Sequence, residues 1–196
     1  MKMEDAKFSF NTHVEGYNER LQSVDFLDMY LNHISFFCFS VAEKLGYFFR
    51  GAITIGQYYQ QQILNQDNIF IFSQSLANAV ILEEKAKYPR VIISDILNDY
   101  LQEKNSKKYD DPIIIFDKYA VRCLNLYRTC SSKNNKHQEQ VKAKLEKISD
   151  NIKRKMNTHR NEPDVMEKYI YLVEQYNNCV GKIPSMKDMQ INIQKY

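Results

Sequence analysis

The chain has 196 residues, 44% of them apolar and 26% charged, with 27 Lys/Arg against 24 Asp/Glu and a net charge of +3. Eleven Phe and 14 Tyr supply too much core material for a disordered chain, while 5 Gly and 4 Pro exclude collagen-like and flexible-linker classes. The length suits one domain with a helical appendage, and a charge of +3 does not by itself argue for nucleic acid or a membrane surface.

The N-terminal MKMEDAKFSFNTHVEGYNER has no apolar run of signal-peptide length, so a cytoplasmic protein is expected. Residues 25–45 read as a helix, because Leu27, Leu31, Ile34, Cys38, Val41 and Leu45 recur at three or four residues and Gly46 supplies a stop. The most apolar stretch, Ile34 to Phe49, is broken by Glu43 and Lys44 and is too short to span a bilayer. Tyr47 to Tyr59 reads as one β-strand with two glycines, QQQILNQDN as a hairpin loop, and Ile69 to Phe72 as the returning strand. A helix then starts at Ser73 or Gln74 and runs to about Lys87, with Ser75 and Asn78 compatible with capping.

Val91 to Ser94 is the next strand, entered from Pro89, and Asp95 is a plausible N-cap for a helix through Glu103. The charged turn KNSKKYDDP precedes a buried-looking run, Ile113 to Phe116. The final third is helical: Val141, Leu145, Ile148, Ile152 and Met156 form a narrow apolar stripe. Pro163 separates it from a last helix carrying Met166, Tyr169, Ile170, Val173 and Tyr176. The expected division is an α+β unit over 1–118 and a helical extension over 119–196 packed on it.

Cys38, Cys123, Cys130 and Cys179 are scattered, as are His13, His33, His137 and His159, so no zinc spacing or disulfide framework emerges. The hydrolase signatures GxSxG, GxxxxGK[ST] and HExxH are absent. Lys133 to Arg160 holds nine Lys/Arg against three Asp/Glu but no aromatic residue for base stacking, so a solvated helix face is expected rather than a nucleic-acid interface.

One block does carry a pattern. Arg50-Gly51-Ala52-Ile53-Thr54-Ile55-Gly56 is similar to R-G-x-I-x-x-G. Phe72-Ser73-Gln74-Ser75-Leu76-Ala77-Asn78-Ala79-Val80-Ile81-Leu82-Glu83 is similar to F-G-D-x-V-N-x-A-x-R-L-E, and Ala86 to Ser94 to A-x-Y-P-R-I-x-x-S. Residues 45–95 therefore resemble the second half of a class III nucleotidyl cyclase catalytic domain, of the bacterial branch that includes the pyrimidine cyclases of anti-phage signalling. Glu167 to Leu172 with Tyr176, Asn177 and Asn178 resembles that branch's C-terminal helix.

The order of elements suggests an antiparallel or mixed sheet in an α+β sandwich, and the resemblance implies a ferredoxin-like, palm-type antiparallel sheet with helices on one face. It also implies conversion of a nucleoside triphosphate into a cyclic monophosphate and pyrophosphate with Mn²⁺ or Mg²⁺. Such enzymes hold the metals with two Asp, orient the ribose with an Asn and stabilise developing charge with an Arg one turn on. Here the strand bearing the first Asp would lie before Met1. Phe10, within Lys7-Phe8-Ser9-Phe10-Asn11-Thr12, stands at the second Asp; Ala77 stands at the Asn, Ile81 at the Arg and Gln74 at a further Asp.

Asp25 with Asp28, and Asp110-Asp111 with Asp117, are the acids that could substitute, although helix-start and turn acids have ordinary structural roles. Arg50, Thr54, Gln74 and Asn78 remain as candidate substrate-binding residues, Arg50 for phosphate and Gln74 for a base edge. The expectation is a truncated or degenerate relative with weak or no cyclase activity alone. It would work as a homodimer or with a separately encoded N-terminal cyclase segment, or else as a non-catalytic nucleotide-binding or partner-assembly module.

Overall fold

Helix α1 (Ser23–Leu45) forms where apolar residues recur on a helical period. It ends at Gly46, whose left-handed backbone (φ 67°) lets its N–H reach the Ala42 carbonyl at 3.2 Å. A Cβ at position 46 would also lie 3.0 Å from Asn151 Cγ, so glycine serves both the turn and the packing there. The structure, a computed structural model, describes residues 23–57, 59–62, 69–103, 112–131 and 135–196. The stretch from Lys7 to Thr12 with Phe10, most of the QQQILNQDN loop, Asp110, Asp111 and Lys133 lie outside the described residues.

Short strands and helices follow: β1 (Gly51–Ile53), β2 (Tyr59–Gln62), β3 (Ile69–Phe72), α2 (Gln74–Glu84), β4 (Val91–Ile93), α3 (Asp95–Glu103), β5 (Ile114–Phe116) and β6 (Arg122–Leu124). A 3₁₀ turn (Arg128–Ser131) leads to α4 (Asn135–Thr158) and α5 (Pro163–Gly181), and two further 3₁₀ turns close the chain. Pro163 occupies the first turn of α5, where a missing N–H breaks no helical hydrogen bond.

The class is α+β, as expected, and of the two sheet types the element order allows the sheet is the mixed one, not the antiparallel sheet the resemblance implies. Its order is β1-β4-β6-β5. β1 runs parallel to β4, Gly51 opposite Val91 and Ile53 opposite Ile93, while β6 is antiparallel to both β4 and β5. The reason is the connection. Between β1 and β4 the chain makes a separate β2–β3 hairpin and then α2, a crossover that returns it to the starting end of β1. The single strand expected over Tyr47–Tyr59 is therefore two, and Ile69–Phe72 pairs with Tyr59–Gln62 instead of returning along Gly51–Ile53.

Helices cover both faces of the sheet, which corrects the one-face expectation. Val91 and Ile93 pack with Leu31 and Cys38 of α1 and Leu97 and Leu101 of α3. Ile92 and its cross-strand partner Cys123 point the other way and are also buried, and the Tyr171 hydroxyl of α5 donates to Asp117, just past β5, at 3.0 Å. β6, which has no counterpart in the sequence reading, is an inner strand and lies beyond residue 118, so the sheet extends past the expected 118/119 division. The run Ile113 to Phe116, expected to be buried, forms an edge strand whose Phe116 is 65% exposed.

A second core lies among the helices. The α4 stripe packs with Phe39 and Ala42 of α1, with Leu172, Val173, Tyr176 and Val180 of α5, and with Met186 and Ile191. Cys38 belongs to the sheet core and Phe39 to the helical core. Successive residues point about 100° apart on a helix, so α1 is the wall shared by the two cores. Among the described residues no helix is long and apolar enough to cross a membrane.

Candidate functional site

The residues singled out by the resemblance lie on β1, the irregular segment after it, and α2. Gly56 lets that segment lie against the first turn of α2, since a Cβ there would sit 2.7 Å from Ser75 Cβ. Ser73, in extended conformation, caps α2 by accepting the Leu76 N–H at 3.2 Å. It also donates to the Gln57 carbonyl at 3.0 Å and lies 2.7 Å from the Ser75 hydroxyl. The cap is thus Ser73, not Ser75 with Asn78. At α3 the Ser94 hydroxyl accepts the Leu97 N–H at 3.2 Å, so Ser94 rather than Asp95 is the capping side chain; Asp95 pairs with Arg122.

With Ser75 beside Gly56 at one end and Glu83 paired to Arg50 at the other, α2 runs antiparallel to β1. This splits the four candidates. Gln74 and Asn78 share a side-chain hydrogen bond of 3.2 Å on the first turn of α2, and the Thr54 hydroxyl approaches the Ile55 carbonyl at 3.4 Å. Arg50 lies beside Glu83, about 14 Å along the helix from Gln74, with its charge engaged by the Glu83 carboxylate. One neutral amide pair and one paired surface cation are brought to α2, at opposite ends.

Ala77 and Ile81, where the resemblance implies a ribose-orienting Asn and a charge-stabilising Arg, are exposed together with Leu76 and Val80. Residues at i, i+1, i+4 and i+5 share one side of a helix, so α2 presents an apolar outer face, and none of its residues is buried.

The densest polar network lies elsewhere and was not anticipated. Asp117, fully buried at the end of β5, pairs with Arg90. It accepts the Tyr171 hydroxyl at 3.0 Å and the N–H groups of Tyr119 and Val121 at 2.9 and 3.0 Å. Burial pushes its carboxyl up, but the donors from Val121, Arg90 and Tyr119 outweigh burial and hold its pKa below the usual carboxylate value. These bonds close the β5–β6 turn, where Ala120 takes φ 55°.

Around the pair, the rings of Tyr88, Tyr119 and Tyr171 lie nearly parallel, with Tyr88 4.8 Å from Tyr119 and 4.9 Å from Tyr171. The Arg90 guanidinium is 5.6 to 6.0 Å from all three ring centres. Outside, Tyr88 donates to Glu167 at 2.6 Å and Lys87 reaches the same carboxylate. The sequence clue is an acid following a strand, which by sequence reads only, beside Asp110-Asp111, as a substitute metal acid or a turn acid of ordinary role. With its oxygens taken by four donors, Asp117 is a structural anchor tying β4, the β5–β6 turn and α5, not a free base or metal ligand.

Among the described residues the other acids do not assemble a metal centre. Asp28 is buried, and among the described residues no group of three or more His, Cys, Asp or Glu converges. The described residues therefore offer no set of carboxylates for the Mn²⁺ or Mg²⁺ that the resemblance implies. All four cysteines are free thiols. Burial pushes Cys38 up to about 11 and Cys123 up to about 12, which removes thiolate nucleophilicity at neutral pH.

The basic stretch of α4 is partly engaged: Lys147 pairs with Glu43 at 3.1 Å and Lys153 with Asp150 at 3.9 Å. Folding places two α1-side aromatic rings beside it, Phe36 under Lys144 and Tyr47 under Lys155. Comparison of the chain with protein-family models, with curated proteins and with solved structures finds no match.

Proposed function

We propose that this chain is a nucleotidyl-cyclase-like assembly module that does not carry the metal chemistry itself and docks a partner chain along β1 and α2. The observation that carries this reading is the outer face of α2. Where the resemblance calls for an Asn and an Arg directed at nucleotide, the chain has Ala77 and Ile81, exposed beside Leu76 and Val80. An exposed apolar strip of this kind fits a protein surface and offers nothing to a triphosphate.

The adjoining strand supports the same reading. Gly51 donates to Arg90 and Ile53 accepts from Ser94, so both face β4. The Ala52 N–H and C=O therefore point to the opposite side of β1, which is an edge strand among the described residues. An extended segment of the partner would pair there, and its side chains would cover α2.

The test has two arms. The purified chain is incubated with each ribonucleoside triphosphate and Mn²⁺ and analysed by mass spectrometry for cyclic monophosphates; no product is expected, and a product altered by Asn78→Ala overturns the non-catalytic reading. In the second arm, chains co-purifying with the tagged protein are identified and the complex rebuilt from purified components. Ala52→Pro, tolerated at an edge position, and Ile81→Asp should each abolish co-elution without lowering thermal stability. Unchanged co-elution in both variants overturns the docking surface.

A second reading, base binding by the Gln74–Asn78 amide pair, is favoured by its exposed hydrogen-bonding groups at the start of α2. Nucleotide binding lost in Gln74→Ala but kept in Arg50→Ala would select it.

A further inference from the structure

Helix α1 carries large apolar side chains on its solvent side as well as on its core side. One side feeds the two cores through Leu31, Cys38, Phe39 and Ala42. On the solvent side, Met29, Tyr30, Phe36 and Phe37 are each about half exposed. From Met29 to Ser40 the sequence MYLNHISFFCFS contains no Lys, Arg, Asp or Glu. Interface centres are enriched in aromatics and Met and depleted of charge in this way.

The four side chains are placed symmetrically. Relative to His33 they stand at −4, −3, +3 and +4, with His33 between them and its Nδ1 2.7 Å from the Met29 carbonyl. A two-fold axis through His33, perpendicular to the helix, sets Met29 and Tyr30 of one antiparallel helix against Phe37 and Phe36 of the other. Self-complementarity of this kind is what an isologous interface requires. The same axis keeps α4 on one flank of the pair and offsets the two Phe36–Lys144 contacts by about 9 Å along the helix, so the lysines do not meet head-on.

The area is also sufficient. Half of the roughly 200 Å² that an aromatic side chain buries, taken over the four residues, His33 and their flanks, gives about 500 Å² per copy. The total of about 1,000 Å² reaches the floor for a specific dimer.

We infer that α1 is a homodimer interface: two copies of this chain pack antiparallel through Met29, Tyr30, His33, Phe36 and Phe37, with the two-fold axis at His33. This is independent of the β1–α2 docking proposed above.

Sedimentation velocity across a concentration series should show a monomer–dimer equilibrium that Phe37→Asp or Met29→Asp shifts to monomer by tenfold or more, while the far-ultraviolet circular dichroism stays unchanged. Ala52→Pro should leave the dimer intact. In a Cys179→Ser background, His33→Cys should form an intermolecular disulfide on oxidation. Ser40→Cys should not, because its symmetry mate lies about 21 Å away along the helix axis.

A monomer at every concentration overturns the inference, as does equal cross-linking of Ser40→Cys, or a dimer dispersed by Ala52→Pro and not by Phe37→Asp. A monomer that binds phosphatidylserine vesicles or single-stranded RNA through these residues overturns it in favour of that ligand.

Discussion

Helices α4 and α2 both carry aliphatic residues at three- and four-residue spacings, yet one is locked into the core and the other buries nothing. In α4, Leu145, Ile148, Ile152 and Met156 are all 0% exposed, and the rest of the helix is mostly charged or amide. In α2, Leu76, Val80 and Ile81 face outward. The difference is one of width: a narrow stripe has one direction in which to bury. The apolar residues of α2 spread round the helix, more than the sheet flank beneath can cover, and the excess is left as surface. Apolar content beyond what one face needs marks a second contact in α2, and the same holds for α1.

This contrast can be broken by mutation, beginning with the anchor that holds α5 to the sheet. Asp117→Ala leaves Arg90 buried without its partner, and loss of one member of a buried pair costs about 3–5 kcal/mol; urea denaturation followed by circular dichroism measures it. A loss below about 1 kcal/mol would mean the network is incidental. Next, Ile148→Ala in the α4 stripe should cost about 2–4 kcal/mol through lost burial and the cavity left behind, read in the same unfolding curves.

The pH dependence sharpens the anchor's role. The folded-state pKa of Asp117 lies below its ordinary value. Its contribution is therefore fully present above the ordinary carboxylate range and is lost as pH falls through the lower folded value. The urea midpoint should decline over that acid window in the native chain. The decline should be shallower in Asp117→Asn, and parallel profiles would contradict the assignment.

On the α2 flank the effects should be small. Ile81→Ser should change the stability of the isolated chain by no more than about 0.5 kcal/mol, and a larger loss would show that this face is already covered. Arg50→Ala, breaking an ion pair in which the Arg side chain is half exposed, should cost less than about 1 kcal/mol and shrink further in high salt.

Much of the fold was legible along the chain because it depends on local spacing. The Leu27 to Leu45 pattern anticipated α1, the stripe from Val141 to Met156 anticipated the core side of α4, and Pro163 marked the start of α5. The caps were missed by a residue or two, because Ser73 and Ser94 compete with equally suitable neighbours in Ser75 and Asp95. β6 was missed because Arg122-Cys123-Leu124 is only three residues long and lacks an alternating pattern, so nothing local distinguishes it from a turn.

The candidate site was legible as positions and not as geometry. Arg50, Thr54, Gln74 and Asn78 can be named from the pattern, but their separation to opposite ends of α2 follows from the antiparallel run of that helix against β1. The Arg90–Asp117–Tyr171 network joins residues 27 and 54 positions apart, and no short motif announces a contact of that range.

The sequence by itself determined where helices form and which single face of α4 is buried, since periodicity and capping act over a few residues. Only the tertiary structure decided the parallel pairing of β1 with β4, the closure of Asp117 by four donors, and the apolar faces of α1 and α2 left open to solvent. Those outcomes depend on which distant elements meet. A side chain's neighbours across the fold, more than its own chemistry, decide whether it becomes core, anchor or surface.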